Sequence, residues 1–263
     1  MKKDKKNQAK SAQKYVTILG IGVISTSTSS VLAFVREKLD KGEKFYIVTP
    51  NSEIIMLAQK DRQLAGILNS ADLSIADGIG LAYASWFLGN GRLNVLPGRE
   101  IFVSLLEFAN ENGLKVFLLG GTVRSIEKSI AIINSKYPDI VIDGEYGPFL
   151  DENAKALGES EREILKKTID KINKFAPDLL FVGFGAPKQE KFVSGWLPEL
   201  NIGGAMVVGG ALDYFAGVAK LPPGWVASLG FEWLWRLVRQ PSRLKRIVTA
   251  IVIFPLKVFF SKF

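Results

Sequence analysis

The chain has 263 residues, of which 48% are hydrophobic and 23% are charged, and this composition is ordinary for a folded protein with a sizeable core. It contains no cysteine and no histidine, which excludes disulfides, thiolate chemistry, imidazole acid–base catalysis and most transition-metal sites. The formal net charge of +8 is concentrated at the two ends, because residues 1–14 carry six lysines against one aspartate and residues 220–263 carry eight basic residues against Glu232.

Apolar runs alternate with helical patterns through most of the chain. The runs that predict strands are 15–25, 45–50, 73–77, 115–121, 140–144, 179–185 and 205–210. The patterns that predict helices are 29–42, 51–61, 80–90, 100–113, 122–137, 159–175 and 187–200. Several strands are almost continuously apolar, which is typical of parallel strands buried on both faces. The alternation predicts an α/β fold with a doubly wound, mostly parallel sheet of the Rossmann-like type, in which ligands lie beyond the carboxyl ends of the strands.

Composition divides the chain into three predicted parts. These are a basic flexible tail at 1–14, an α/β domain at 15–220 and a C-terminal appendage at 221–263 that is rich in tryptophan and arginine. The lysine-rich start lacks the apolar core and cleavage site of a signal peptide, so we expect a protein that stays in the cytoplasm. The long polar loop at 144–160 is interpreted as a candidate mobile lid.

The appendage combines a cationic segment with an apolar one. Its arginines recur at spacings of three, four and three residues, near one side of a helix: Arg236, Arg239, Arg243 and Arg246. The apolar run 247–260 follows, but its 14 residues fall short of the roughly 20 needed to span a bilayer. A solvated basic helix is one interpretation. The apolar run favours another, a peripheral helix at the cytoplasmic face whose partner is an anionic membrane surface or a ligand diphosphate and not a nucleic acid.

Two glycine-containing segments follow predicted strands. Gly20 and Gly22 form a GxG, but the third glycine of a dinucleotide fingerprint is missing, so NAD binding by an oxidoreductase is a distant alternative. Gly120 and Gly121 precede a helix that begins near Thr122, where close backbone approach and free N–H groups favour a phosphate. A plain strand-to-helix turn explains this segment equally well.

Polar side chains follow two further strands. Thr49 and Asn51 open one helix, where a hydroxyl and an amide are able to bind sugar hydroxyls or a phosphate, although Asn51 also fits an ordinary N-cap. Lys188 and Gln189 stand in the first turn of another helix, after a loop with two glycines and a proline. Lys188 fits a phosphate contact and Gln189 a hydrogen bond to a sugar or base, with a solvated helical turn as the alternative.

Asp77 follows a predicted strand in the segment ADG. Asp-Gly is a common turn pair, and by itself it is more often a turn than a base. A helical pattern begins directly afterwards, so the carboxylate is expected beside the ligand cleft, where it is able to deprotonate an attacking hydroxyl. In a chain without histidine or cysteine, Asp77 is therefore the best candidate for a general base.

Together these segments resemble the WecG/TagA/CpsF family of bacterial glycosyltransferases. The similarity runs from about Tyr15 to Arg246, and its most specific stretches are GFGAPKQE and GFEWLWRL. It implies an inverting, metal-independent transfer, without a cofactor, from a UDP-sugar donor to a polyprenyl-diphosphate-linked sugar acceptor. The implied sugar is N-acetylmannosamine, used in the linkage unit of wall teichoic acid. Other branches use glucose or a uronic acid relative for capsule and exopolysaccharide.

The resemblance also assigns roles to residues. Asp77 matches the family's proposed base, and Thr49, Asn51 and Gln189 match positions thought to hold substrate. The arginines of the appendage match those thought to close over the active site at the membrane.

Two departures from the family pattern concern charge. Around the PG element this chain has Val95 and Glu100 where an arginine and an aspartate are common, so either Arg92 or Arg99 takes the charge role or the donor pocket differs. Leu221 stands in place of another common arginine. These departures motivate a competing hypothesis, a membrane-attached nucleotide-binding protein without catalysis. Apolar patterns such as 80–88 also suit packing between subunits, so a homo-oligomer is a further expectation.

Overall fold

The computed structural model describes residues 14–221, 232–239, 241 and 244–262. Its centre is a six-stranded sheet in which every neighbouring pair is parallel. From one edge to the other the strands are β4 (Leu73–Ser74), β3 (Phe45–Val48), β8 (Gly204–Val207), β7 (Leu179–Gly183), β5 (Lys115–Gly120) and β6 (Val141–Glu145). Helices alternate with these strands, so the predicted α/β architecture with a parallel sheet is confirmed.

The prediction of one continuous strand over 15–25 is wrong. The segment forms an antiparallel hairpin of β1 (Lys14–Ile18) and β2 (Ile21–Ser25), separate from the main sheet. The chain turns at Leu19 and Gly20, whose φ angles are 49° and 80°, and two consecutive positive φ values suit a tight hairpin turn. Gly20 of the GxG therefore serves the turn. Residues 1–13 of the predicted tail lie outside the described residues.

Helices cover both faces of the sheet. Their bounds are α1 (Thr28–Lys41), α2 (Ser52–Ala58), α3 (Arg62–Ser70), α4 (Ile79–Phe87), α5 (Gly98–Glu111), α6 (Val123–Lys136), α7 (Glu159–Phe175), α8 (Lys188–Trp196), α9 (Ala211–Phe215) and α10 (Glu232–Arg239). The prediction missed α3 and α9. A separate α3 begins after Asp61, whose side chain accepts a hydrogen bond from the N–H of Leu64 as an N-cap.

Two apolar cores lie on opposite faces of the sheet. Along β3 the side chains alternate, with Tyr46 and Val48 in one core and Phe45 and Ile47 in the other. The first core includes residues from α2, α3, α7 and α8, whereas the second includes residues from α1, α5, α6 and α9. The central strands are therefore buried on both sides, as their continuous apolar sequences indicate.

The described chain ends in a helical run over 244–260, called here the C-terminal helix. It consists of an α-helical turn (Leu244–Val248), a π-helical segment (Thr249–Ile253) and a further α-helix (Phe254–Phe260). Phe254 and Val258 are buried in the first core, and the Phe259 and Phe87 ring centroids lie 5.7 Å apart. This helix thus packs on α2 and α4. Within the described ranges, no helix is long and apolar enough to cross a membrane.

Candidate functional site

The predicted site residues of the α/β domain lie at the end of the sheet where the carboxyl ends of the parallel strands meet. β3 and β7 lead into α2 and α8 on one face, whereas β8 and β5 lead into α9 and α6 on the other. Adjacent loops therefore diverge between β3 and β8, between β8 and β7, and between β7 and β5. Such divergence opens crevices of the kind in which α/β proteins bind ligands.

Asp77 lies just beyond the end of β4, between two neighbouring elements. Its backbone N–H donates a 3.0 Å hydrogen bond to the carbonyl of Pro50 after β3. Its Oδ2 accepts a 3.3 Å hydrogen bond from the backbone N–H of Gly98, the first residue of α5. A helix N-terminus stabilises a carboxylate. Asp77 is thus both a junction residue, since α4 begins at Ile79, and a half-buried carboxyl group at the crevice.

Thr49 converges on the same point. Its side chain is buried, with 9% exposed, and a Cβ atom added to Gly98 would lie 2.9 Å from its Oγ1. The hydroxyl of Thr49, the N–H of Gly98 and the carboxylate of Asp77 therefore form one cluster, which we call the Asp77 cluster. The sequence predicts roles for Thr49 and Asp77 but not for Gly98, although the Pro-Gly pair at the start of α5 is a signal.

Arg99 follows Gly98 in the first turn of α5. It lines a groove of about 500 Å³ between α5 and α9. Tyr214, Phe215 and Leu221 contribute to the other wall of this groove. Arg99 is thus adjacent in the chain to Gly98 of the Asp77 cluster, and its role as the donor-site cation stays a prediction.

Asn51 and Lys188 both make contacts that serve the fold. Asn51 caps α2, because its Oδ1 accepts a 3.0 Å hydrogen bond from the N–H of Ile54, so the ordinary N-cap is present. Lys188 Nζ donates a 2.6 Å hydrogen bond to the carbonyl of Leu150, within the predicted lid. Lys191 Nζ similarly reaches Asn153 Oδ1 at 3.0 Å. α8 therefore holds this loop in place, and the substrate roles of Asn51 and Lys188 stay predictions.

Gln189 connects two loops that follow the carboxyl ends of neighbouring strands. Its side chain is buried, with 4% exposed, and Oε1 accepts hydrogen bonds from the backbone N–H groups of Gly185 (3.1 Å) and Gly209 (3.0 Å). Gly185 follows β7 and Gly209 follows β8. The amide thus faces the crevice loops, while direct contact with substrate stays a prediction.

Glu190, next to Gln189, is a buried acid that sequence reasoning missed. It is 1% exposed, and its Oε1 accepts a 3.0 Å hydrogen bond from Gln189 Nε2. Burial, with a smaller effect from the negative charge of Glu53, raises the pKa of Glu190 from 4.5 to about 7. A charged residue in the first turn of a helix is usually solvated, so the sequence offered no signal for this burial.

Gly120 and Gly121 allow β5 and β7 to approach each other closely. A Cβ on Gly120, where φ is 101°, would lie 2.6 Å from the carbonyl carbon of Gly183, and the N–H of Gly121 donates a 3.0 Å hydrogen bond to the carbonyl oxygen of Gly183. Thr122 caps α6, because its side chain accepts a hydrogen bond from the N–H of Ser125, and the helix begins where the sequence predicts it. The phosphate-binding role of the two glycines stays a prediction.

Among the four arginines of the appendage, the structure describes the side chain of Arg246. Its Nε donates to Oε1 of Glu53 at the start of α2. The guanidinium thereby lies against Glu53, which follows Asn51 by two residues in the chain. Arg236 and Arg239 lie in α10, but their side chains are outside the described set, as is Arg243 altogether.

The family profile of the WecG/TagA/CpsF glycosyl transferases matches residues 16–263. The chain belongs to this family. It is therefore a glycosyltransferase, and the resemblance predicted from the sequence is confirmed. In the part of this family member that the structure describes, no group of three or more histidine, cysteine, aspartate or glutamate residues is placed to hold a metal ion.

Similar family members share one name, N-acetylglucosaminyldiphosphoundecaprenol N-acetyl-beta-D-mannosaminyltransferase. The protein from Bacillus subtilis (strain 168) is 30% identical over 234 residues, covering 89% of this chain and 87% of its own. The protein from Bacillus spizizenii (strain ATCC 23059 / NRRL B-14472 / W23) is 30% identical, with 86% and 84% covered. The protein from Staphylococcus aureus (strain MW2) is 29% identical, with 94% and 93% covered.

Proposed function

We propose that this glycosyltransferase moves a sugar, most consistently N-acetylmannosamine, from a UDP-sugar to a polyprenyl-diphosphate-linked sugar with inversion and without a metal ion. Family membership and the activity named for the similar proteins support the reaction class. The chain contains no Asp-x-Asp pair, histidine or cysteine, which supports a metal-independent reaction. Cell-wall polymer synthesis is the pathway class that fits such an acceptor.

The Asp77 cluster carries the catalytic part of the proposal. Inversion requires a base that removes the proton of the acceptor hydroxyl while the UDP leaves from the opposite face of the sugar. Asp77 offers a half-buried carboxylate whose Oδ2 accepts from Gly98 at the N-terminus of α5. This hydrogen bond fixes the orientation of the carboxylate and therefore also the position of its second oxygen, Oδ1. We assign Thr49, whose side chain lies against Gly98, to binding the reacting sugars.

The negative charge that develops on the departing UDP needs cations and backbone N–H groups. Arg99, which follows Gly98 in the first turn of α5, and Arg246, which pairs with Glu53 at the start of α2, are our candidates for these cations. α6 begins at Val123, directly after Gly120, Gly121 and the cap residue Thr122, and its N-terminus is favourable for an anion. We assign the diphosphate to this region.

Peripheral membrane contact belongs to the proposal, because the acceptor is a lipid. Large apolar side chains are exposed on α4 and on the C-terminal helix that packs against it. They are Ile79, Tyr83 and Trp86 on α4, and Val252, Ile253, Leu256, Phe259 and Phe260 on the C-terminal helix. Lys257 and Lys262 border this surface, which we call the apolar face. Aromatic and aliphatic side chains flanked by lysines suit the interface of an anionic membrane.

A donor screen tests the proposal. Purified full-length protein is mixed with a synthetic polyprenyl-diphosphate-N-acetylglucosamine acceptor and a panel of UDP-sugars, and UDP release and glycolipid product are measured. We expect UDP-N-acetylmannosamine to react fastest. Asp77→Asn should lower kcat by about a hundredfold to ten-thousandfold, the range typical of a general base. The exposed Asp170→Asn on α7 is the matched control and should retain wild-type kcat.

Each result bears on a different part of the proposal. Another UDP-hexose or a uronic acid donor as the fastest substrate would replace N-acetylmannosamine and leave the reaction class intact. UDP binding without turnover on any donor would favour the non-catalytic nucleotide-binding alternative. Wild-type kcat in Asp77→Asn would remove Asp77 from the role of base.

A further inference from the structure

The buried carboxyl group of Glu190 takes no part in the proposed chemistry. It nevertheless lies close to the candidate site, in the first turn of α8 after β7. Its Oε1 accepts from Gln189 Nε2, while Oε2 has no hydrogen-bond partner among the residues that the structure describes. Burying an ionisable group without full compensation is unfavourable. A role in the arrangement of the neighbouring loops would account for this carboxyl group.

Both ends of the Gln189 amide are engaged. Oε1 accepts from the N–H groups of Gly185 and Gly209, and Nε2 donates to Glu190. An amide rotated by half a turn would set its NH₂ group against two N–H donors and leave the oxygen facing the Glu190 carboxyl. The acceptor on Glu190 therefore selects the amide orientation that binds both loops.

The two N–H donors are aimed by the backbone. Gly185 and Gly209 have φ angles of 79° and 50°, in the left-handed region that glycine adopts without strain. The first belongs to the loop between β7 and α8, and the second to the loop between β8 and α9. Gln189 thus joins loops that continue to opposite faces of the sheet, across the point where those loops diverge.

We propose that Glu190 is a positioning residue, which fixes the amide of Gln189 and thereby holds the β7–α8 and β8–α9 loops at the spacing needed for the UDP-sugar. This inference rests on the proposed function for its kinetic consequence, whereas its structural consequence is independent of any ligand. The negative charge of Glu53 on α2 acts on Glu190, and Glu53 itself pairs with Arg246 of the C-terminal helix. Since Glu53 opposes a negative charge on Glu190, the role requires a hydrogen-bond acceptor and not a charge.

Hydrogen exchange of the full-length, ligand-free protein tests the structural consequence. Glu190→Leu removes the acceptor at similar volume, whereas Glu190→Gln keeps an acceptor oxygen. We expect amide exchange in peptides containing Gly185 and Gly209 to become about tenfold faster in Glu190→Leu, the size expected for one lost hydrogen bond. Glu190→Gln should stay within about twofold of wild type. Thr168→Val, which removes a buried hydroxyl on α7, is the control and should leave both peptides unchanged.

Steady-state sugar transfer tests the kinetic consequence. In Glu190→Leu the KM for the UDP-sugar should rise about tenfold, while kcat changes less than about threefold because Asp77 is untouched. In Glu190→Gln the KM for the UDP-sugar should equal that of the wild type. Gln189→Leu should match Glu190→Leu, and the double variant should be no worse than either, because the two residues act as one unit.

The outcomes separate this inference from the proposed function. Unchanged exchange in a folded Glu190→Leu would overturn the positioning role, and so would equal disturbance by Glu190→Gln and Glu190→Leu. If Glu190→Leu does not fold, exchange in Glu190→Gln compared with Gln189→Leu decides the same question. A wild-type protein that transfers no sugar would refute the proposed function, while the exchange experiment would still decide what Glu190 does to the loops.

Discussion

Gly98 and Thr49 are in such close contact that position 98 has no room for a side chain. A Cβ atom there would lie 2.9 Å from Thr49 Oγ1 and 3.4 Å from Thr49 Cγ2. The N–H of the same glycine donates to Asp77 Oδ2 at 3.3 Å. One residue at the N-terminus of α5 therefore fixes the relative positions of the two polar side chains that follow β3 and β4.

Gly98→Ala should impair transfer with little loss of stability. The added methyl group forces the hydroxyl of Thr49 to rotate away, because a side-chain rotation is easier than a shift of α5. We expect kcat/KM to fall about tenfold and the free energy of unfolding to change by less than about 1.5 kcal/mol. Steady-state kinetics and denaturant unfolding measure the two quantities.

A matched glycine controls for the backbone effect of this substitution. Gly66, inside α3, has no atom within 4 Å of an added Cβ. Gly66→Ala should therefore leave kcat/KM unchanged and raise the free energy of unfolding by about 0.5–1 kcal/mol. Full activity in Gly98→Ala would contradict the proposed contact between Thr49 and the reacting sugars.

The sequence predicts those parts of the fold that depend on local apolar patterns. β5, β7 and β8 were readily predicted because they lie between other strands and are apolar on both faces. The β1–β2 hairpin was missed because its apolar run continues through the turn, where Leu19 adopts a positive φ. α9 was missed because five residues are too few for a helical period to show.

The candidate site, like the fold, has features that the sequence predicts and features that it does not. Asp77 and Thr49 were predictable because the carboxyl ends of parallel strands meet at one edge whatever the details of packing. The partners of Gln189 and the burial of Glu190 depend on how the loops after β7 and β8 pack against α8. Such contacts join residues distant in the chain, and one sequence without tertiary information does not specify them.

The raised pKa of Glu190 predicts a pH-dependent stability. Its carboxyl titrates at about 7 in the folded protein against 4.5 ordinarily, so the folded state binds the proton more tightly than the unfolded state. This stabilisation is fully present below pH 4.5 and is lost as the pH rises through about 7. The shift corresponds to roughly 3 kcal/mol.

Comparison with Glu190→Gln isolates that contribution. Between about pH 5 and pH 8 the wild type should lose more of its free energy of unfolding than Glu190→Gln, whose side chain does not titrate. Denaturant unfolding across this range gives both curves. Parallel curves would show that Glu190 titrates normally in the folded protein.

The pair between Arg246 and Glu53 allows the role of the arginine to be separated from helix docking. Both side chains are partly exposed, so the pair contributes less than about 1 kcal/mol to stability. If Arg246 acts on the diphosphate, Arg246→Ala should lower kcat/KM by about tenfold or more, as expected for one charge-assisted hydrogen bond. Glu53→Gln, which leaves the arginine in place, should lower it less than about threefold. Equal losses in the two variants would instead assign Arg246 to docking the C-terminal helix, and kinetics of both variants decide between these roles.

The apolar face predicts membrane binding that depends on exposed side chains of the C-terminal helix. Deletion of 247–263 is a poor test, because it also removes Phe254 and Val258, which are buried in the core. Leu256 and Phe260, which are 53% and 71% exposed, are better targets.

The double variant Leu256→Gln, Phe260→Gln should fold normally and bind anionic vesicles about a hundredfold more weakly, because each apolar side chain contributes about 1.5 kcal/mol when it leaves water. Flotation with vesicles containing phosphatidylglycerol measures the bound fraction. Val141→Gln, exposed on the edge strand β6, is the control and should float like the wild type. If the acceptor is lipid-linked, as proposed, the double variant should also lose transfer to a polyprenyl acceptor in vesicles while retaining transfer to a short-chain, water-soluble acceptor. Undiminished flotation of the double variant would place the membrane contact elsewhere on the protein.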